Sequence, residues 1–451
     1  MRRLSYTLLS PFVGGIALAA ILMLIPHKSG GQSTQPAIMD VKNNISGTSI
    51  ASRYGLTVID SIPELNRYLV QGTPAGLLAA GKDSGVASID YDLDAELSER
   101  ALLNDSESTA ALLDPESIAL LLDQTQTWDG QHWSRKSLVN QPALRRIGFE
   151  ASTLLWDPVT VAVIDTGIDP NHEALIGSTL PGKNFVNPNK STNEIEDLEP
   201  AALALLLARN SSSPNSAVLS FTNKSTLALL DPAVLTSMYR APTPYFGHGT
   251  MVAGLIHTLA PSSKILPLKV FDANGFGNSF RIAQAIVYAT NQGASVVNMS
   301  FGLATRSMLV DEAVDYAWRR GVVLVASVGN TNSRVDKIYP AGDHEVIGVA
   351  ATDLQDQKAI FSCYGPAADV SAPGQGLVSP YPAGLYAVWS GTSASAALVS
   401  GEAALLLTLP DLKKDLKAKD VVKVITERVD HLHGKWDIGN GRINLASALR
   451  R

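Results

Sequence analysis

Cysteine is almost missing from this chain. The 451 residues contain one, Cys363, so no internal disulfide is available and the fold must hold by burial and hydrogen bonding. Charge is also scarce, at 17% of residues, and the 36 Lys and Arg fall short of the 42 Asp and Glu. A net charge of −6 lacks the basic excess by which general nucleic-acid binders hold phosphates, so no nucleic-acid partner is expected. There is no glycine-rich phosphate loop ending in Lys-Ser or Lys-Thr. Two zinc words begin, His172-Glu173 and His344-Glu345, but Ile176 and Gly348 stand where the second histidine belongs. A hydrophobic content of 45%, in contrast, is too high for a disordered chain.

The chain starts with Arg2 and Arg3 ahead of an apolar run at 8–25 that is interrupted by Ser10, Pro11, Gly14 and Gly15. A basic start followed by an apolar stretch is the pattern of an export signal. No small-x-small cleavage site follows, because the run ends in Ile25-Pro26-His27-Lys28, so residues 1–30 read as a signal peptide or an uncleaved membrane anchor. Both readings place the rest of the chain outside the cytoplasm, whether secreted, periplasmic or anchored on the extracytoplasmic side.

Residues 31–40 are rich in Gly, Ser, Gln and Pro and read as a linker. Residues 41–97 alternate strand patterns (56–59, 67–70, 86–91) with a helical one (75–80), a small α+β unit. A second linker, 98–140, is rich in Asp, Glu, Ser and Thr around an apolar piece at 111–122. The five residues at 111–115 recur at 228–232, too short a match for a repeat protein. From 141 to 451 the alternation is steady, with apolar strands at 159–164, 265–271, 295–299, 322–328 and 346–350 and helices at 251–259, 280–291, 309–320 and 394–407. Fully apolar strands separated by helices predict an α/β domain, its sheet mostly parallel and covered by helices on both faces. In such a sheet the active residues are expected where strands end and helices start.

Three such places carry chemistry. Asp165 follows the apolar Val161-Ala162-Val163-Ile164 and precedes Thr166-Gly167. His248 lies in Gly247-His248-Gly249-Thr250 before a helix, and Ser393 lies in Gly391-Thr392-Ser393-Ala394-Ser395 before the most apolar helix in the chain. A serine hydroxyl becomes nucleophilic when a base takes its proton and a carboxylate holds that base in the right tautomer. Asp169 reads as a loop residue, His257 as a packed or surface histidine and Cys363 as inert, since no base lies near it in sequence.

The words Val163-Ile164-Asp165-Thr166-Gly167-Ile168-Asp169, His248-Gly249-Thr250-Met251-Val252-Ala253-Gly254 and Gly391-Thr392-Ser393-Ala394-Ser395, in that order, resemble the subtilisin-like serine peptidases. The resemblance covers about 141–448. It implies a subtilisin-like fold and an endopeptidase that works through an acyl-serine intermediate, with Ser393 as nucleophile, His248 as base and Asp165 orienting it. It also implies Asn330, in Ser327-Val328-Gly329-Asn330, as an oxyanion donor. Gly275-Phe276-Gly277 and Ser300-Phe301-Gly302 are similar to the family's substrate edges, which grip an extended protein or peptide substrate as an added strand. The unit at 41–97 sits where the family carries a propeptide, which implies an intramolecular inhibitor. No cofactor is implied for the chemistry, and the family's structural calcium has no assignable ligands here. The sequence departs from the family's usual serine word at Ala394, Ala397 and Leu398, and it carries an insert at about 194–238 whose default reading is surface loop. Two alternatives stay open: a peptide transferase or ligase using the same triad, and an inactive subtilisin-like binding module.

Overall fold

The computed structural model describes residues 34–96, 126–128, 133–149, 157–198, 200, 245–303, 305–408, 417–434 and 437–450. The apolar run at 8–25, much of 98–140, and the insert beyond residue 200 lie outside the described residues, as do both copies of the five-residue word.

The amino-terminal unit is a four-stranded antiparallel sheet with two short helices. β1 (Gln35–Val41), β2 (Thr57–Ile62), β3 (Arg67–Gly72) and β4 (Val86–Asp90) lie in the order β2-β3-β1-β4, with α1 (Gly47–Arg53) and α2 (Pro74–Ala80). Reading 31–40 as a linker is therefore corrected, because β1 is an inner strand. Its polar and Pro-containing start hid it. Pro36 pairs only with Gln71 of β3 and lies ahead of the Ile38 to Val41 stretch that also meets β4, so its missing N–H falls where β1 has one neighbour. Met39, Ile50, Leu56 and Val70 form this unit's own small core. The chain continues into β5 (Asp94–Glu96). The segment 98–140 is likewise more than a linker, since it holds the hairpin β6 (Gln126–Trp128) and β7 (Trp133–Arg135) and the short α3 (Lys136–Val139), followed by α4 (Pro142–Arg146).

The apolar runs predicted as strands build the second, larger sheet. β8 (Thr160–Asp165), β10 (Lys264–Lys269), β12 (Val296–Met299), β13 (Val323–Ser327), β14 (Val346–Thr352) and β15 (Val370–Pro373) are all parallel. With β9 (Lys183–Asn184) at one edge, and β18 (Val429–Asp430) and β19 (Arg442–Ile443) at the other, the order is β18-β19-β15-β14-β13-β12-β8-β10-β9. The chain leaves β8 toward β10 on one side and later returns to its other side with β12. That reversal makes β8 the switch point, beyond whose carboxyl end an α/β sheet leaves a crevice.

Alternation of side chains decides which helices share a face. Val161, Val163, Val296, Val323 and Val325 join one core with residues of α5 (His248–Leu259), α8 (Thr392–Thr408) and α9 (Ala418–Glu427). Ala162, Ile164, Val297, Met299 and Leu324 join the other core with α6 (Ser279–Asn291) and α7 (Met308–Trp318). Asp165 lies two residues past Val163, and so falls on the face that carries α5 and α8. α8 is apolar all round and buried along nearly its whole length, as a central helix must be. A hairpin of β16 (Leu377–Tyr381) and β17 (Leu385–Trp389) lies beside α5, with Ser379 Oγ donating to the Met251 carbonyl at 2.8 Å.

Candidate active site

Asp165 ends β8 and is fully buried. Its Oδ1 accepts from the Thr166 backbone N–H (2.7 Å) and from Nδ1 of His248 (2.7 Å). An ionised carboxylate can only accept, so Nδ1 carries a proton, and in the neutral imidazole Nε2 is then the basic nitrogen. The approach of α5 to the end of β8 depends on Gly249, because a Cβ there would come within 1.9 Å of the Gly167 carbonyl oxygen. The glycines around His248 thus have a steric cause.

Gly247, at the amino end of α5, has φ +88 and no side chain with which to cap the helix. The cap comes from a distant residue, Glu194. Its Oε1 accepts from Gly247 N–H (3.1 Å) and its Oε2 from Thr250 N–H (3.1 Å), with the Thr250 hydroxyl also donating to Oε2. The Thr166 hydroxyl lies 2.5 Å from Glu194 Oε1 and 3.1 Å from Asp165 Oδ1, and it accepts from Gly249 N–H at 3.1 Å. Glu194 is wholly buried, which corrects the surface-loop reading for this end of the insert; residues 199 and 201–244 lie outside the described residues. Nothing in the sequence marks Glu194, because its partners lie 28 to 56 positions away.

Ser393 sits in the first turn of α8 and is fully buried. Its Oγ donates to the carbonyl of Ser300 at 3.4 Å, and among the described residues it makes no hydrogen bond to the imidazole. Asn330, just past β13, is tied to the same helix end: its Oδ1 accepts from Thr392 N–H (2.8 Å) and from the Thr392 hydroxyl (2.9 Å). Two donors on Oδ1 fix which way the amide faces. Nδ2 is then left buried with no hydrogen-bond partner among the described residues, and a buried unused donor calls for an explanation.

The two predicted substrate edges divide. Gly275, Phe276 and Gly277 lie at β11 (Phe276–Asn278), where the Phe276 side chain is 47% exposed. Ser300, Phe301 and Gly302 follow β12, but the Phe301 ring is fully buried against Phe271 (centroids 5.2 Å apart) and belongs to the core. The Phe301 side chain therefore packs inward, and only the backbone of 300–302 is left to form an edge. β5 of the amino-terminal unit pairs antiparallel with β11, Phe276 opposite Glu96 and Asn278 opposite Asp94. Just before it, Asp92 Oδ1 accepts from the Ser279 hydroxyl (2.9 Å) and Phe280 N–H (3.0 Å), capping α6 from outside. Burial pushes the Asp92 carboxyl up, against those two hydrogen bonds. Ile38, Ile62 and Ala95 pack into the core of α6 and α7. Arg67 joins Asp40 of its own unit to Glu312 of α7.

The other singled-out residues are structural. His172 is buried, with Nε2 2.7 Å from the Leu385 carbonyl and Nδ1 accepting from Ala174 N–H. Asp169 Oδ2 accepts from Ala383 N–H at 2.8 Å and holds the turn of the β16–β17 hairpin. His257 is packed in α5, and Cys363 is buried with its sulfur 3.0 Å from the Thr331 hydroxyl. Among the described residues no group of three or more His, Cys, Asp or Glu could hold a metal ion.

The sequence model described as the Subtilase family matches residues 157–432. The chain belongs to the subtilase family. It is a serine-type endopeptidase by that membership. It is 31% identical over 303 residues to thermitase of Thermoactinomyces vulgaris, an alignment covering 64% of this chain and 88% of thermitase. It is 35% identical over 300 residues to a thermophilic serine proteinase of Bacillus sp. (strain AK1), covering 64% of this chain and 61% of that relative. Among solved structures, fervidolysin from Fervidobacterium pennivorans matches with a TM-score of 0.63 at 22% identity, covering 94% of this chain and 62% of that one. The epidermin leader peptide processing serine protease from Staphylococcus aureus matches with a TM-score of 0.64 at 18% identity, covering 92% and 98%. Identities this low establish the subtilase fold alone. The three resembling words of the sequence all fall inside the matched residues 157–432.

Proposed function

We propose that this subtilase cleaves peptide bonds through an acyl-enzyme on Ser393, with His248 as general base and then acid and Asp165 orienting it. The observation that carries the reading is the 2.7 Å Asp165–His248 contact on the sheet face that also carries α8. Rotation of the Ser393 side chain away from the Ser300 carbonyl offers its proton to Nε2. Oγ then bonds to the scissile carbonyl carbon, and that carbonyl oxygen takes the negative charge. Asn330 Nδ2, turned away from Thr392 and unpartnered among the described residues, donates to this oxyanion, with the Ser393 N–H at the helix start as second donor. His248 next gives its proton to the leaving amine. Water, deprotonated by the same imidazole, releases the acyl group. An imidazole base must be unprotonated, so activity falls toward acid.

The arrangement fits a latent form of the enzyme. The amino-terminal unit adds its strand β5 to β11, the edge where a substrate would lie, and the site residues Asp165, His248, Ser393 and Asn330 are all buried. That pairing supports the unit as an intramolecular inhibitor and an extended peptide as the substrate. Latency also accounts for a serine turned from its base better than a permanently inactive fold does, because the unpartnered Asn330 donor has no use in a mere binding module. Export is supported by Arg2, Arg3 and the apolar run at 8–25; among the described residues no helix is long and apolar enough to cross a membrane.

A fluorophosphonate probe tests the catalytic reading. The processed wild-type chain is expected to be labelled at Ser393, and Ser393→Ala to lose labelling, peptide cleavage and release of the amino-terminal unit. A processed chain that cleaves peptides yet is labelled elsewhere would sink it. Product analysis with an added amine separates hydrolysis from acyl transfer.

A further inference from the structure

Glu194 is a carboxylate with no solvent contact, one hydroxyl away from Asp165, and the proposed chemistry does not use it. All four of its side-chain hydrogen bonds converge on the start of α5 or on Thr166, the residues that bracket His248 and Asp165. α5 begins at a glycine that cannot cap it, and its first N–H groups go to Glu194 and to Thr166 Oγ instead. The catalytic histidine is the first residue of that helix, so whatever fixes this turn fixes the imidazole.

Thr166 adds a proton count. Its oxygen accepts from Gly249 N–H and lies within hydrogen-bond distance of both carboxylates, yet it has one proton to donate. If Glu194 is ionised, Asp165 and Glu194 compete for that proton. If Glu194 carries a proton on Oε1, it donates to Thr166 and the Thr166 hydroxyl is free to donate to Asp165.

We infer that Glu194 is a positioning residue of the catalytic site, which caps the His248 helix and, through Thr166, couples its own protonation to the Asp165–His248 pair. The inference rests on reading Asp165, His248 and Ser393 as the triad. Burial pushes the Glu194 carboxyl up to about 7, with Thr166, Thr250 and Lys269 opposing and the Asp165 charge adding to it. The charged and titratable groups around it are Asp165 at the end of β8, His248 on α5, Lys269 at the end of β10 and Asp197 in its own turn, the last two joined at 2.8 Å. A Glu194 that ionises in the working range places a second negative charge near the imidazolium and favours the protonated, inactive base.

The test is steady-state kinetics against pH on processed enzyme, with active sites counted by fluorophosphonate at Ser393. Glu194→Ala is expected to lower kcat per active site about tenfold while KM changes less than about threefold. Glu194→Gln, which keeps one acceptor oxygen but never ionises, is expected to recover part of kcat and to move the acid limb of kcat/KM down by about half a pH unit. A loss with no movement of that limb would reduce Glu194 to ordinary packing and overturn the inference, as would kcat and limb both matching wild type. If Glu194→Ala does not accumulate, the limb of Glu194→Gln decides alone. Wild-type enzyme that cleaves peptide without labelling at Ser393 removes the triad and this inference together; labelled wild type with unaffected variants removes the inference only.

Discussion

On the proposed mechanism, Asn330 is a side chain prepared for a charge that exists only during reaction. Its oxygen is committed to Thr392 and its nitrogen is left over, so the donor is oriented before substrate arrives. Asn330→Ala is expected to lower kcat by about 10²–10³ with KM little changed, the known cost of removing an oxyanion-hole amide in subtilisin. Glu402, on α8, is a contrasting case: it is buried, and neither carboxyl oxygen has a hydrogen-bond partner among the described residues. Burial alone pushes it from 4.5 to about 8. The native state thus keeps a proton that the unfolded chain releases above 4.5, so this contribution to stability is full below that pH and is lost as pH rises to about 8. In a Ser393→Ala background, the melting temperature should fall from pH 5 to pH 8 by on the order of 5 °C more with Glu402 than with Glu402→Gln. Parallel curves from calorimetry would refute it.

The strand β5 and the helix α6 act together at the scale of elements. β5 gives β11 an antiparallel partner, the pairing that a substrate strand would make on the proposed reading, and Asp92 just before it satisfies the Phe280 N–H at the start of α6. Asn278 caps Arg281 N–H from within, so the docked unit adds to α6 only the Asp92 bonds to Phe280 N–H and the Ser279 hydroxyl. Asp92→Ala should cost about 1 kcal/mol at that end, as cap losses typically do. Hydrogen exchange in the full-length Ser393→Ala chain should then quicken about fivefold at Phe280, while Arg281, capped by Asn278, and the buried strands β13 and β14 change little. Equal rates in both proteins would mean that Asp92 does not hold the helix.

For the whole molecule the question is how firmly the amino-terminal unit is seated. Apolar contacts from Ile38, Ile62 and Ala95 supply area, and Arg67 bridges Asp40 to Glu312 across the boundary. The Arg67 side chain is 12% exposed and that of Glu312 37%, so the bridge is partly screened and contributes about 1–2 kcal/mol. Arg67→Ala should weaken seating roughly tenfold by that measure, seen as earlier release of the unit during maturation, and it should remove most of the salt sensitivity of release. A release rate in wild type that is indifferent to salt would count against the bridge.

Much of this was legible along the chain, and the division has a physical basis. Apolar runs such as Val161 to Ile164 can only be buried strands, and short words with glycine beside Asp165, His248 and Ser393 keep their spacing because backbone must pass close to backbone, as Gly249 shows. Those features are local, so sequence by itself determined the α/β class and pointed to the three side chains proposed here as reactive. Strand β1, the inward turn of Phe301, the burial of Glu194 and the pairing of β5 with β11 were decided by tertiary structure alone. Each depends on a partner tens to hundreds of residues away, and a contact that closes so long a loop leaves no pattern in the residues on either side of it.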